Sequence, residues 1–536
     1  MPGASSNLLT APNMFPPAPA STKADRGFLL PLAAALIALG LGCSRGPAAD
    51  SVGDLRVAVS YELASLDPHV DNSLEAFEQL SNVYEGLVAL DRSLRLAPSL
   101  AASWSNPDVT TWSFRLRPGV RFHDGSTLTA EDVVYSIVRL KSDETLGMRS
   151  QLSEVVGATI EDGEVVIRTG RPSARLLNEL AQIPIVRAGS TRESLEAKPN
   201  GTGPYAIESW DPRLRLRLRR HEGYWGSRPV VPGVEVEMGV TEAKAVTGLQ
   251  EGRFSLVARI NRPGVERAAA GSPRYRLIRQ PSLFLTHLAF AVSSPSLPGT
   301  TGLPNPFRHL EVRQAVDLAL DRDRIAAAKS KGAVPARHIV TKMVFGHDPE
   351  APAPVRDVEK ARQLLQSAGY PNGLDVTLHD TTPSPNPPAE EVRAQLAAIG
   401  MRVTIAAAPT FEVFFAALRR RELGFWMTGD GAMTGEAGGL LASQFHSSDT
   451  RRNLGVENHG GYADPDLDRL IEDADLLYDP RQRLPILQKA VRRAEQNLFW
   501  IPLFHSSVLF VVDRELAFEP REDLVLRYAE IGLPSR

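Results

Sequence analysis

The sequence predicts an α/β protein in which mixed sheets are flanked by helices. Apolar and polar residues alternate over segments such as Trp112–Leu116 and Leu214–Leu218, which is the two-residue period of a half-buried strand. After Pro281, amphipathic helical patterns and short apolar strands follow one another, as they do in βαβ units. With 536 residues, the chain is long enough for several domains of about 100–200 residues each.

In the first half of the chain, apolar spacing predicts four strands and two helices. The strands are Leu55–Ser60, Trp112–Leu116, Leu214–Leu218 and Val234–Met238, and the helices are Leu74–Leu90 and the segment from Thr129 to Leu140. Thr129 precedes two acidic residues, as an N-cap does. The third strand carries outward Arg and the fourth outward Glu. These rows suit neighbouring strands with paired charges on a solvated face.

In the second half, helices and strands alternate. The predicted helices are Leu310–Ile325, Val358–Gly369, Ala389–Gly400, Asp464–Leu477 and Leu484–Leu498. The predicted strands are His287–Val292, Leu374–Leu378, Met401–Ala406 and Val508–Val512, and Pro383–Pro388 is predicted as an exposed loop. This alternation indicates a lobe of the βαβ type.

Composition excludes several classes of protein. The 43% hydrophobic and 23% charged residues are near the globular average, which excludes wholesale disorder and coiled-coil or collagen-like designs. The formal net charge of −3 provides no field for nucleic acid, so we expect no nucleic-acid partner. Cys43 is the only cysteine, which excludes a disulfide framework and Cys-cluster zinc sites.

Cys43 follows an uncharged apolar segment, Phe28–Gly42, that lies behind Lys23 and Arg26. The segment is shorter than the roughly 20 residues of a membrane-spanning helix and suits the apolar region of a secretory signal. Leu39–Cys43 resembles the lipobox of bacterial lipoproteins, with glycine in place of the usual aliphatic residue three before the cysteine.

The lipobox resemblance implies that residues 1–42 are a signal peptide and that Cys43 is lipidated. Residues 43–50 would then form a tether to the membrane. The alternative is ordinary signal-peptidase cleavage nearby, which would discard Cys43.

Catalytic motifs are missing from the sequence. HExxH, GxSxG and Walker patterns do not occur. Gly201–Tyr205 lacks the third glycine of a phosphate loop and indicates a turn before a strand, and His123-Asp124 indicates a turn completed by Gly125. We therefore expect a protein that is not an enzyme and has no catalytic residues, metal or cofactor. A peptidase would need a nucleophile–base pair that the sequence does not show.

Blocks along almost the whole mature chain resemble the family-5 extracellular solute-binding proteins of ABC importers, which bind oligopeptides, dipeptides or nickel. The blocks are Leu66–His69, Tyr84–Leu87, Ala97–Ala101, Trp112–Gly125, Leu128–Val133, Gly201–Tyr205, Tyr224-Trp225, Val312–Ala315, Ala319–Arg322, Ala361–Tyr370, Gln395–Gly400 and Trp500–Leu503.

This resemblance implies a two-lobed periplasmic-binding-protein (flytrap) fold, of type II and cluster C-like, with an extra subdomain in lobe I. Lobe I would comprise residues 51–285, lobe II residues 286–500, and residues 501–536 would return to lobe I. The chain would cross between the lobes near Leu283–Leu288 and Phe499–His505, and these crossings would form the hinge.

The resemblance also implies a function. The protein would be a lipid-anchored monomer on the periplasmic side of the cell envelope that captures a di- or oligopeptide between its lobes and delivers it to the transmembrane subunits of an ABC permease. Two alternatives on the same scaffold stay open. The ligand could be an oligosaccharide or a metal chelate, or the protein could be a sensor or chaperone-like lipoprotein without a transport role.

The segment Met427–Gly431 resembles the family's Trp-x-[Ala/Gly]-Asp loop, whose aspartate pairs with the α-ammonium group of the ligand. The resemblance carries that role to Asp430 and implies a ligand-binding set of Trp426, Thr428, Gly429 and Asp430. The position of the family's tryptophan is occupied here by Met427, and Trp426 lies one residue before it. The alternative is that Asp430 organises a Gly-rich turn. No arginine for a ligand carboxylate can be carried over, since Arg419–Arg421 do not fall on such a position.

Substitution of Cys43 tests the predicted lipid anchor. Cys43→Ala removes the thiol that acylation needs, so we expect the precursor to stay unprocessed or the protein to lose its anchor. Metabolic labelling with a fatty-acid probe measures the difference. Equal labelling of the wild type and the variant would contradict the prediction.

Overall fold

A computed structural model describes residues 53–300, 302–382 and 385–534. The predicted signal peptide, Cys43 and the predicted tether lie outside the described residues. The strands are β1 (Leu55–Val59), β2 (Val88–Leu90), β3 (Leu96–Pro98), β4 (Ala101–Asp108), β5 (Thr111–Leu116), β6 (Val155–Glu161), β7 (Glu164–Thr169), β8 (Tyr205–Asp211), β9 (Arg215–Arg220), β10 (Gly233–Glu237), β11 (Leu256–Ala258), β12 (Tyr275–Phe290), β13 (Val334–Pro335), β14 (Leu374–Asp380), β15 (Met401–Ala407), β16 (Phe425–Asp430) and β17 (Trp500–Asp513).

The α-helices of the described residues lie mainly after the first 240 residues. They are α1 (Leu74–Leu80), α2 (Ala130–Ser142), α3 (Leu176–Leu180), α4 (Arg192–Ala197), α5 (Glu242–Gln250), α6 (Pro263–Ala270), α7 (Leu310–Ala319), α8 (Arg322–Lys329), α9 (Val358–Ser367), α10 (Pro387–Ala397), α11 (Phe411–Arg419), α12 (Ala437–Leu440), α13 (Pro465–Asp475) and α14 (Pro480–Gln496). A short π-helical turn, Leu441–Phe445, follows α12.

One mixed sheet runs through the whole fold. Its strand order is β15-β14-β16-β12-β17-β11-β1-β10-β9-β8, and β13 pairs with β17 outside this path. Strands β12 and β17 are 16 and 14 residues long and pair antiparallel from Tyr275 opposite Asp513 to Ala289 opposite Trp500. The register shifts between Pro281 and Leu285 and again between Thr286 and His287. These irregularities fall at the segments predicted as crossings, which lie inside the two strands.

Smaller units cover this sheet. Strands β4, β5, β7 and β6 form a separate antiparallel sheet, and α2 buries Val133, Ile137 and Leu140 in its core. In the second half, β14 pairs parallel with β15 and with β16, which confirms the predicted βαβ arrangement. The apolar faces of α7, α9 and α10 share one core with these strands.

Several local predictions are confirmed. Thr129 and Asp132 form a capping box at the start of α2. Arg217 lies opposite Glu235 across β9 and β10, and their side chains form an ion pair of 2.6 Å. Gly125 adopts φ +86° in the turn after His123-Asp124.

Other predictions were wrong, and tertiary contacts explain them. Leu74–Leu90 is not one helix, because α1 ends at Leu80. The side-chain amide of Asn82 donates to the carbonyls of Glu78 and Leu526. These bonds draw the chain away from the helix axis. Leu310–Ile325 is also broken. Asp321 caps the second helix, α8, through the Arg324 amide, and its own amide donates to Gln395 at 2.6 Å.

The remaining corrections concern element ends. Pro387 and Pro388 begin α10 and are not part of a loop, because proline fits the first turn of a helix. The strands predicted as His287–Val292 and Val508–Val512 are the ends of two longer strands, β12 and β17. The rest of β17 is buried along almost its whole length, so it lacks the alternation of a half-buried strand.

A buried cluster of charges joins the two predicted lobes. Arg171 and Arg175 in the predicted first lobe contact the carboxylate of Asp475, which ends α13 in the predicted second lobe, and the Arg171 distance is 3.0 Å. The carboxylate of Glu154 also forms ion pairs with both arginines. The Ala174 amide also donates to the Asp475 carbonyl at 3.1 Å. Only 3% of the Asp475 side chain is exposed.

Replacement of Asp475 tests how much this cluster contributes to the stability of the fold. Asp475→Asn leaves two buried guanidinium groups short of a negative charge, so we expect a loss of about 3–5 kcal/mol in the free energy of unfolding. Denaturant unfolding measures it. Asp375→Asn is the control, because Asp375 pairs with Arg402 on the exposed surface and should leave the melting temperature unchanged. Equal effects of the two substitutions would show that the cluster adds no stability.

Candidate functional site

Three cavities bear on the candidate site, and two of them are lined by residues of the irregular part of the β12–β17 pair. The Asp430 cavity has a volume of about 210 Å³ and lies beside the end of β16. The crossing cavity, about 470 Å³, is lined by Gln280–Leu283, by the Val334–Met343 segment and by Glu522. The inter-lobe cavity, about 190 Å³, is lined by first-lobe residues and by Met433 of the predicted second lobe. The 470 Å³ volume falls in the range usual for small-molecule sites.

Asp430 ends β16, directly opposite Leu285 of β12. One carboxylate oxygen accepts a hydrogen bond from the Gly431 amide at 2.7 Å, and the other accepts from the Gln444 side-chain amide. Asp430 forms no ion pair with any Lys or Arg of the described residues. Burial, with a smaller contribution from the negative charge of Glu457, raises the pKa of Asp430 to about 6.

The structure places the four predicted ligand-binding residues on one cavity. Trp426, Thr428, Gly429 and Asp430 all line the Asp430 cavity. The side chains of Trp426, Thr428 and Asp430 share a face of β16 because alternate residues of a strand point the same way. Met427 lies in the core on the opposite face. Trp426 is 3% exposed and also belongs to the core beneath the cavity.

Gly429 has a steric reason to be glycine. A Cβ added to it would lie 2.0 Å from a ring carbon of Phe284. The chain therefore comes close enough for the Phe284 ring to cover the backbone beside Asp430, and any side chain at position 429 would push the ring away.

Sequence reasoning missed the residues that complete the cavity. Gln444 comes from the π-helical turn, and Glu457 and His459 come from the loop after it. The His459 ring donates a hydrogen bond to the Glu457 carboxylate at 2.9 Å. His287 lies opposite Thr428 on β12, and facing residues of paired strands share a face. His287 and Trp500, which also lines the cavity, lie in the two segments predicted as lobe crossings, but no pattern in the sequence assigned either of them a role in binding.

His287 is neutral in this setting. Its ring stacks on that of Trp500 with 3.7 Å between centroids, and burial lowers the pKa of His287 to about 3. Neither of its ring nitrogens has a hydrogen-bond partner among the described residues. Asp430 and Glu457 therefore supply the negative charge of a cavity that no Lys or Arg lines. Such a cavity suits a positively charged group.

The described residues also bear on membrane spans and metal sites. None of their helices has both the length and the apolar character to cross a membrane. In the same residues, no three His, Cys, Asp or Glu side chains are grouped as metal ligands.

Curated relatives of the chain bind solutes. The glutathione-binding protein GsiB of Escherichia coli (strain K12) is 25% identical over 496 residues, which cover 87% of this chain and 92% of GsiB.

Solved structures show the same fold. HbpA2 from Haemophilus parasuis matches with a TM-score of 0.77 at 22% identity, over 90% of this chain and 100% of HbpA2. The periplasmic binding protein DppA from Helicobacter pylori, in complex with the peptide STSA, matches with a TM-score of 0.71 at 21% identity, over 90% of this chain and 98% of DppA.

The family model for bacterial extracellular solute-binding proteins, family 5 (middle), matches residues 95–452. This match covers the separate β4–β7 sheet, most of the βαβ region and Asp430. The chain therefore belongs to the family-5 extracellular solute-binding proteins of ABC importers and has their two-lobed periplasmic-binding-protein fold.

Proposed function

We propose that this protein is the substrate-binding lipoprotein of an ABC importer for di- or oligopeptides. It captures the peptide between its lobes and delivers it to the transmembrane subunits of the permease. Cys43 carries the lipid that holds it at the membrane on the periplasmic side. The observation that carries the peptide assignment is the partly buried carboxylate of Asp430, which has no cation partner among the described residues and lines a cavity.

The chemistry of that carboxylate favours a ligand with an ammonium group. A buried negative charge is costly unless a cation and hydrogen bonds compensate it. The α-ammonium group of a peptide supplies both in one group, with three donors for the free lone pairs of Asp430. A neutral oligosaccharide would cover the carboxylate without supplying a positive charge. The ligands of two similar proteins, glutathione for GsiB and the peptide STSA for DppA, both carry an α-ammonium group.

The identity of the bound solute is the first thing to measure. Native mass spectrometry of the purified protein should detect co-purified peptides as discrete mass additions. A bound sugar or metal complex in their place would contradict the peptide assignment.

Removing the charge of Asp430 should weaken binding and stabilise the ligand-free protein. For glutathione or STSA, Asp430→Asn leaves the ligand ammonium unpaired, which costs about 2–5 kcal/mol, or roughly 30-fold to several thousand-fold in affinity. Calorimetry measures this loss. The N-acetylated form of each ligand should bind the wild type about as weakly as the free form binds the variant. Combining acetylation with the substitution should cause little further loss of affinity.

The sign of the stability change follows from the raised pKa. The pKa of about 6 in the folded state exceeds the ordinary value near 4, so ionisation of Asp430 destabilises the ligand-free fold as pH rises through 6. The free energy of unfolding of Asp430→Asn should therefore exceed that of the wild type by about 1–2 kcal/mol at pH 8, and the difference should vanish near pH 4.

Asp380→Asn is the matched control for both measurements. Asp380 is a buried carboxylate at the end of β14 whose pKa burial also raises, but its partners are Asn386 and the Thr382 amide. It should leave ligand affinity unchanged. If Asp430→Asn binds within about twofold of the wild type, Asp430 is a turn residue and the peptide assignment loses its main support.

Lobe closure provides an independent test. The contacts of Asp475 with Arg171 and Arg175 join the predicted lobes, and we expect them to separate when the cleft opens. We therefore expect small-angle scattering to give a smaller radius of gyration with bound glutathione or STSA than without it. An unchanged radius, with binding confirmed by calorimetry, would indicate a rigid or preclosed cleft.

A further inference from the structure

His287 is a buried histidine of β12 whose side chain lines the Asp430 cavity. Only 1% of the residue is exposed. Both of its ring nitrogens are buried without a hydrogen-bond partner, and no other side chain of the described residues has two such atoms. Among the residues that line the Asp430 cavity, no other side chain has even one. Because buried polar atoms are almost always paired, His287 offers hydrogen bonds that a molecule bound in the cavity can use.

The chemistry of the ring limits the groups that can pair with it. A neutral imidazole offers one donor and one acceptor, and the stacking on Trp500 holds the plane in which both lie. A hydroxyl or a side-chain amide can donate as well as accept, so either group can pair with the ring whichever nitrogen carries the proton. A carboxylate does not suit the cavity, since Asp430 and Glu457 already supply negative charge there.

Strand register sets the distance between His287 and Asp430. On β12, Leu285 lies opposite Asp430, and His287 lies opposite Thr428. His287 and Asp430 are therefore diagonal neighbours, whose Cα atoms are about 7–8 Å apart. A ligand ammonium group lies about 3 Å from the carboxylate that binds it. A polar atom only two or three bonds from that ammonium nitrogen can then reach the ring, which points to a short side chain on the same ligand residue.

Much of the remaining wall of the cavity cannot replace this hydrogen bond. Five of the lining side chains are aromatic or aliphatic, namely Phe415, Leu418, Trp426, Phe499 and Trp500. An apolar ligand side chain placed here would cover the ring and leave both nitrogens of His287 without a partner, which is unfavourable. A site that hydrogen-bonds a hydroxyl in this way rejects the analogue that lacks it.

We propose that His287 forms a hydrogen bond with the side chain of the ligand residue whose ammonium group binds Asp430, and that it selects a short, uncharged polar side chain there. The inference rests on the proposed function and deepens it, because it names the class of the peptide's first residue. Ser, Thr and Asn meet the requirement. Val and Leu, which have similar shapes to Thr and Asn but carry no polar atom, are disfavoured at this position.

Capture from paired peptide libraries tests this selection. The purified full chain is incubated with peptides that begin with Thr or with Val and continue with two to four random residues, and native mass spectrometry counts the occupied protein. Libraries that begin with Asn or with Leu form a second pair. Within each pair the shape is similar and the hydrogen-bonding group differs. We expect the wild type to prefer the polar member by at least about tenfold.

Variants of His287 show whether its nitrogens cause the preference. His287→Phe keeps a ring beside Trp500 and removes both nitrogens, and His287→Leu removes the ring as well. Both should reduce the preference to within about twofold. His221→Phe is the matched control. The ring of His221 also packs on an aromatic ring, that of His123, and its Nδ1 is also buried without a partner among the described residues, but it lines none of the three cavities of the candidate site.

The outcomes distinguish the inference from the proposed function. If the wild type captures both members of a pair equally while Asp430→Asn captures neither, the inference is wrong, water is the partner of the ring, and the peptide assignment stands. A wild-type preference that persists in folded His287→Phe or His287→Leu also overturns the inference. Thermal unfolding identifies the folded variants, and if neither folds, the comparison of libraries on the wild type decides. If the wild type captures no library, the proposed function and the inference both fail.

Discussion

The antiparallel pair formed by β12 and β17 is the constraint on which the rest of the structure depends. Strand β16, which ends in Asp430, pairs with β12, while β11 pairs with β17 and connects β1 and the strands beyond it. Both halves of the sheet are therefore attached to the same two strands. The register shifts between Pro281 and His287 interrupt the hydrogen-bond ladder, and a ladder bends most easily where it is interrupted. Asp430 lies opposite Leu285, inside that interval.

Several buried charges of this protein are compensated by an opposite charge. Arg483 pairs with Glu436 at 2.5 Å, Arg259 pairs with Glu78 at 2.9 Å, and Asp475 is shared by two arginines. Other charged groups, such as Asp380, are buried with hydrogen bonds alone. Asp430 also has hydrogen bonds alone, but it lines a cavity that holds a second carboxylate and no Lys or Arg. A ligand of positive charge would compensate that cavity, which is the physical reason for assigning Asp430 to binding.

Local patterns in the sequence predicted what local physics determines. The strand period identified β5, β9 and β10, and the capping residues identified the start of α2. The helix predicted over Leu310–Ile325 failed because Gln395, 74 residues after Asp321, binds its backbone amide. The candidate site divides in the same way. Trp426, Thr428, Gly429 and Asp430 could be found because they lie within five consecutive residues that resemble a family loop. His287 and Gln444 join them only through strand register and the return of the chain, which no spacing in the sequence reveals.

Occupancy controls shape only where the ligand distinguishes the open form from the closed form. A ligand shifts the equilibrium between them only by the difference in its affinity for the two. A solute that contacts Asp430 alone would satisfy it in either form, so it would favour closure only weakly. A ligand that also contacts the predicted first lobe gains those contacts only when the lobes are close, so the whole of that second interaction counts toward closure. If the permease responds to the closed form, the contacts that a ligand makes across the cleft determine both its affinity and its delivery.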